Sequence, residues 1–183
     1  GLSSPIRSSF LANVSRQSAQ DLDGDRWIDM PSYNRVAIRP RMFYEGDNGT
    51  RGFLTLGAMT ENRRGGTLAD GTVPSGDPYP QDQRTRRLDA GVKFSHPLND
   101  HTAVAVRASA MRQDHDHRFG ARLEADRHET QLLEFSVSRN SSRATWVGGA
   151  AYQIDQYRAD TPPEFNYRYR VPALFGQLDY DLS

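Results

Sequence analysis

Apolar and polar residues alternate with a period of two along most of this chain, and the 3.6-residue period of an amphipathic helix is hard to find. Ile6, Phe10, Ala12 and Val14 share one face of a first segment, opposite Arg7, Ser9 and Asn13. Further apolar sets are Val36, Ile38, Met42 and Tyr44; Leu54, Leu56 and Ala58; Leu88, Ala90, Val92 and Phe94; and Val104, Val106, Ala108 and Ala110. Leu133, Phe135 and Val137 follow, then Trp146, Gly148, Ala150, Tyr152 and Ile154, and last Leu174, Leu178, Tyr180 and Leu182. The pattern predicts eight strands, several of them longer than ten residues. Pro40 falls inside the second and cannot donate to a ladder, so a bulge or a local edge is expected there.

The connections alternate as well. Long segments ("QDLDGDRWIDMPS", "RRGGTLADGTVPSGDPYPQDQRT", the middle-length "QDHDHRFGARLEAD" and "RADTPPEFN") take turns with short ones ("GDNGT", "PLND", "RNSS"). A meander with short turns at one end and long loops at the other is the layout of an outer-membrane barrel. A soluble β-sandwich alternates its faces equally well but has no reason to gather its long loops at one end.

Composition narrows the reading without changing it. The 183 residues carry 23 basic and 23 acidic side chains, so no net field draws the chain to nucleic acid. Lys93 is the only lysine, and cysteine is absent, which excludes disulfide frameworks and thiol catalysis. The mean hydropathy of −0.76 is strongly polar. Barrel strands escape that argument, because alternation never produces a long apolar window.

The stretches "IRPRMFYEG", "GFLTLGAMTENRRGGTL" leading to "RTRRLDAGVKF", "VRASAMRQDHDHRFG" and "YRVPALFGQLDYDLS" resemble the barrel domain of TonB-dependent outer-membrane receptors across nearly the whole chain. The resemblance implies an all-β, antiparallel, up-and-down transmembrane β-barrel segment over residues 1–183, about eight strands of a larger barrel, with no plug domain. It implies a place in the outer membrane of a Gram-negative bacterium, among lipid, a plug and the remaining strands, and pulled through the TonB complex by parts outside this stretch. The implied role is active uptake of a scarce nutrient, a ferric siderophore foremost, without enzymatic activity. These residues are accordingly expected to be an internal stretch of a longer receptor. Two alternatives from other classes remain: a self-contained eight-stranded structural or adhesive barrel, and a soluble β-sandwich binding calcium or another ligand.

Three stretches carry candidate chemistry. Asp21, Asp23, Asp25 and Asp29 have the spacing of calcium ligand loops. Arg26 stands where such loops place glycine, and Ser32 where they place a bidentate glutamate. The competing account is a solvated loop that uses Asp and Gly as turn formers. Second, Arg158, Tyr167, Arg168, Tyr169 and Arg170 combine guanidinium groups and aromatic faces, which suit a large anionic or catecholate chelate. Tyr167 and Tyr169 equally suit an interfacial aromatic girdle. Third, His115 and His117 stand at i, i+2 on one strand face, with His128 or nearby carboxylates to complete a metal set; the alternative is a polar strand running out of the membrane. Arg35, Arg39, Arg41, Asp89, Lys93 and Arg107 are expected on the lumen side as scaffold.

Overall fold

A computed structural model describes residues 5–160 and 163–181. Leu182, expected on the eighth apolar face, and Thr161 and Pro162 of the last loop lie outside the described residues. Eight strands form one antiparallel sheet in the order β1 to β8: β1 Ile6–Gln17, β2 Trp27–Glu45, β3 Arg51–Thr67, β4 Pro80–Asn99, β5 Thr102–Phe119, β6 Arg122–Asn140, β7 Ala144–Ala159 and β8 Tyr167–Tyr180. A single 3₁₀ turn, Pro163–Phe165, precedes β8. All eight strands belong to one sheet, so the two-sheet sandwich expected as an alternative does not form among the described residues. Among the described residues the sheet is open, with β1 and β8 as its outermost strands.

Cα partners across a ladder share a face, so the register assigns every strand residue to one side. All eight apolar sets read from the sequence fall on the same side. The row from Ile6 through Tyr44, Gly52, Phe94, Val106, Phe135, Ala150 and Leu174 shows this across the full width. No described residue covers this side. Leu174 is 87% exposed, Val14 75% and Phe10 65%, and no large side chain among the described residues is fully buried. Sheets ordinarily bury an apolar face against a second layer, so this face calls for a covering.

The apolar residues form a band that does not follow the hydrogen-bonded rows. The row through Val36 continues to Thr60, Arg86, Asp114, Arg127 and Arg158, apolar at the β2 side and charged at the β7 side. The row through Leu178 and Trp146 continues to Arg139, Thr102 and Asn99, with the opposite gradient. The band therefore crosses the strands obliquely. On β4 it runs from Leu88 to Phe94, which at ~3.3 Å per residue is roughly 20 Å.

The strands outrun the band by far. Residues Arg63–Thr67, Pro80–Thr85, Gln113–Phe119 and Arg122–Asp126, assigned to loops by their polarity, continue the ladders. The expected middle-length connection between β5 and β6 is corrected to a two-residue turn, Gly120 and Ala121, closed by the Phe119–Arg122 pair. Glycine at positive φ (+61°) in the first turn position matches the right-handed strand twist. Pro40 needs no bulge. Around it the β2–β3 ladder lacks partners at Arg39 and Pro40 and keeps its register on both sides, while Pro40 remains opposite Phe10 of β1. The β2–β3 bulge lies instead between Ile28 and Ser32, around Pro31.

Candidate functional site

The aspartate loop is tighter than its sequence suggests. β2 begins at Trp27, so Asp29 stands on a strand, and the Gln20–Met30 bridge pinches the loop at its base with two 3.0 Å hydrogen bonds. Asp21 accepts the N–H groups of Gly24 (2.8 Å) and Arg26 (2.9 Å), Asp23 that of Asp25 (3.2 Å), Asp25 that of Trp27 (2.7 Å) and Asp29 that of Leu22 (2.8 Å). Arg26 adopts φ +72°, the left-handed conformation that a calcium loop assigns to glycine at this position. The Asp21, Asp23 and Asp29 carboxylates come within 4.8 Å of one another, and Asp25 stands outside that group. Ser32 points elsewhere, donating to the Arg64 carbonyl at 3.4 Å. The hydrogen bond from Asp25 N–H holds the Asp23 carboxyl down. Desolvation and repulsion from Asp25 and Asp29 outweigh it, and leave Asp23 above the usual carboxylate range. The loop also docks on its neighbour: Leu68 N–H donates to the Arg26 carbonyl at 2.9 Å, Arg26 pairs with Asp70, and Trp27 stacks on Tyr79 with centroids 6.0 Å apart. The sequence contains no signal for that contact, which joins residues more than forty positions apart.

At the end of β7 and β8 the register divides the five residues expected to bind ligand. Tyr157, Tyr167 and Tyr169 share the polar face and form a continuous stack, with centroids 5.8 and 4.8 Å apart. Arg158, Arg168 and Arg170 lie on the opposite face, paired with Arg127, Gln156 and Ile154 respectively. Tyr167 and Tyr169 are therefore not girdle residues of the apolar face. The aromatics at a margin of that face are Tyr44, Phe94, Trp146 and Tyr180, all toward the short-turn end. Tyr157 belongs with Tyr167 and Tyr169, as period two alone could have indicated.

The third group is the most compact. His115 stands opposite Asp126, and His117 lies two residues on, on the same polar face. His115 Nδ1 is 2.9 Å from Asp126 Oδ1, and His117 Nε2 is 3.4 Å from Asp126 Oδ2. The carboxylate, rather than His128, completes the set; His128 pairs with Asp155 at 2.7 Å. Gln113 Nε2 lies 2.9 Å from His115 Nε2, and the His117 ring stacks on Phe119.

Below these groups the polar face is a lattice of ion pairs. Glu61 bridges Arg35 and Arg63, Arg107 pairs with Glu134 at 2.8 Å, and Arg39 reaches Asp89 at 2.8 Å. The last pair spans β3, passing over Gly57, where an added Cβ would meet Asp89 Oδ2 at 2.5 Å and Arg39 Nη2 at 2.6 Å. Arg35, Arg39, Asp89, Lys93, Arg41 and Arg107 all lie on this face, as alternation predicts. Comparison with known protein families, curated proteins and solved structures gives no match to this chain.

Proposed function

We propose that the chain is a wall segment of an outer-membrane barrel of the TonB-dependent receptor type, serving active uptake of a scarce nutrient, a ferric siderophore foremost, with no catalytic step of its own. The observation that carries this reading is the oblique apolar band on one face of an eight-stranded open meander. Closing a sheet into a barrel tilts its strands, so a lipid layer must cross the hydrogen-bonded rows at an angle. The band does this. The ion-paired opposite face suits a wet lumen or a polar plug. The free β1 and β8 edges favour a larger barrel over a self-contained eight-stranded one, because an open edge in hydrocarbon costs several kcal/mol per unsatisfied backbone group.

Within that reading, the Tyr157–Tyr167–Tyr169 stack is the ligand-facing surface. Arg158, Arg168 and Arg170 stand on the lipid-side face beyond the band. Since the chain has no cysteine, single cysteines test the orientation. In membrane-embedded protein, cysteine at Leu133 or Leu174 should react with a lipid-soluble reagent only, and cysteine at Ser136 or Ala151 with a water-soluble one. Equal labelling of both sets rules out the wall. For transport, alanine at both Tyr167 and Tyr169 should reduce ferric-siderophore uptake by the receptor carrying this segment. Unchanged uptake removes the ligand assignment.

A further inference from the structure

The structure assigns to His115, His117 and Asp126 a site for one divalent transition cation of the zinc class. This rests on the β5–β6 register alone and does not require the receptor reading. The three ligand atoms already lie within 4.8 Å of one another. A tetrahedral ion bound at ~2.0–2.1 Å holds its ligand atoms roughly 3.3 Å apart. His115 Nδ1 lies 2.9 Å from Asp126 Oδ1 and His117 Nε2 3.4 Å from Asp126 Oδ2, so each imidazole faces one oxygen of the carboxylate at close to that spacing.

The site is built, not incidental to a loop. His115 and His117 project from the same side of β5, and Asp126 answers from β6 across a turn only two residues long, which leaves the hairpin little freedom to slip. Phe119 fixes the His117 ring by parallel stacking at 5.8 Å and 8°. The three side chains are 18, 21 and 13% exposed, leaving room for a water as the remaining ligand. With Nδ1–H of His115 donating to Asp126, its Nε2 accepts from the Gln113 amide. When the cation takes Nδ1, the ring proton moves to Nε2 and the amide turns over to accept it through Oε1. Gln113 then orients the ligand from behind. Glu124, opposite His117 in the register, is tied to Arg122 at 2.6 Å. Two imidazoles and one carboxylate select zinc, cobalt or nickel over calcium or magnesium, which take oxygen ligands.

The test uses the protein that carries this segment, folded in detergent micelles with its strand content followed by circular dichroism, and titrated with Co²⁺ and then Zn²⁺. One equivalent of Co²⁺ should give a saturating visible d–d band that Zn²⁺ abolishes. His117→Ala and His115→Ala should remove the band. Should either fail to fold, His117→Gln and Asp126→Asn keep the polar contacts and give the same reading. Gln113→Ala should weaken zinc binding by roughly 10-fold, and His128→Ala should leave it unchanged. Folded protein with no saturable band, or loss of the band in His128→Ala as complete as in His117→Ala, overturns the site.

Discussion

Single residues in this sheet are decided by what stands over them on their own face. Gly57 and Gly149 are both strand glycines, yet their surroundings predict different costs for a methyl group. At Gly57 the obstacle is the ends of Arg39 and Asp89, which can move apart at the loss of one partly exposed ion pair, on the order of 1 kcal/mol or less. At Gly149 an added Cβ meets the Phe135 carbonyl and the Phe175 ring, directly opposite on β8, and neither yields easily. Gly149→Ala should therefore cost about 1–3 kcal/mol and Gly57→Ala clearly less, read from urea titrations in micelles. Equal costs would mean that the Arg39–Asp89 pair is as rigid as the backbone. Neither role was legible in the sequence, because Arg39 and Asp89 meet across an intervening strand fifty residues along the chain. Asp23 is a second case. Its proton is held more tightly in the folded loop than in the unfolded chain. Acidification through the carboxylate range therefore stabilises the loop, and the gain is lost as pH rises through the raised pKa. Asp23→Asn should abolish that pH dependence, measured by hydrogen exchange at Gly24 and Arg26, without weakening the loop at neutral pH. If calcium protects those amides in the parent and not in Asp23→Asn, the carboxylate group binds it; no protection at millimolar calcium leaves a hydrogen-bonded turn.

At the scale of elements, the sequence showed how many strands there are and which face is apolar, but not how long they run. Hydrophobic alternation fades where both faces meet water or ion-paired neighbours, while the backbone ladder continues regardless. The β5–β6 hairpin is the clearest instance. "QDHDHRFGARLEAD" is polar on both faces, yet every residue except Gly120 and Ala121 is paired. The usable signal was the lone Gly120 before Ala121, a Gly-X pair of the kind that closes a two-residue hairpin. Its φ of +61° strains any other residue, and its missing side chain makes room for the Tyr79 ring, 2.8 Å from where a Cβ would stand. Gly120→Ala should therefore loosen the tip by about 1–2 kcal/mol. The expected readout is faster amide exchange at His115 to Phe119 and Arg122 to Asp126, with no change at the opposite turn, where Asn99 Oδ1 caps His101 and Thr102. Exchange rising equally at both ends would mean that the hairpin unfolds as one unit with the wall.

For the molecule as a whole, the two faces make opposite demands on a charge, and neighbouring leucines expose the difference. Leu133 lies in the apolar band, on the row of Ala108 and Tyr152, whereas Leu132 points to the polar face, on the row of Ser109 and Gln153. Composition and local sequence treat these two alike; only register separates them, and a one-residue slip would exchange their environments. If the band faces lipid, Leu133→Arg should cost about 2–4 kcal/mol of folding free energy in vesicles, the magnitude for arginine near the middle of a barrel's lipid face. Leu132→Arg should stay within about 1 kcal/mol, since lumen positions tolerate charge. Tryptophan fluorescence during urea titration reports both, because Trp27 and Trp146 lie outside the substituted positions. A sheet that never meets a bilayer gives a different result. There Leu133 is already 56% exposed, and arginine would be neutral or would relieve an apolar patch. The sign at Leu133, set against the near-zero value at Leu132, therefore separates a lipid-covered wall from a sheet whose apolar face stays open to water.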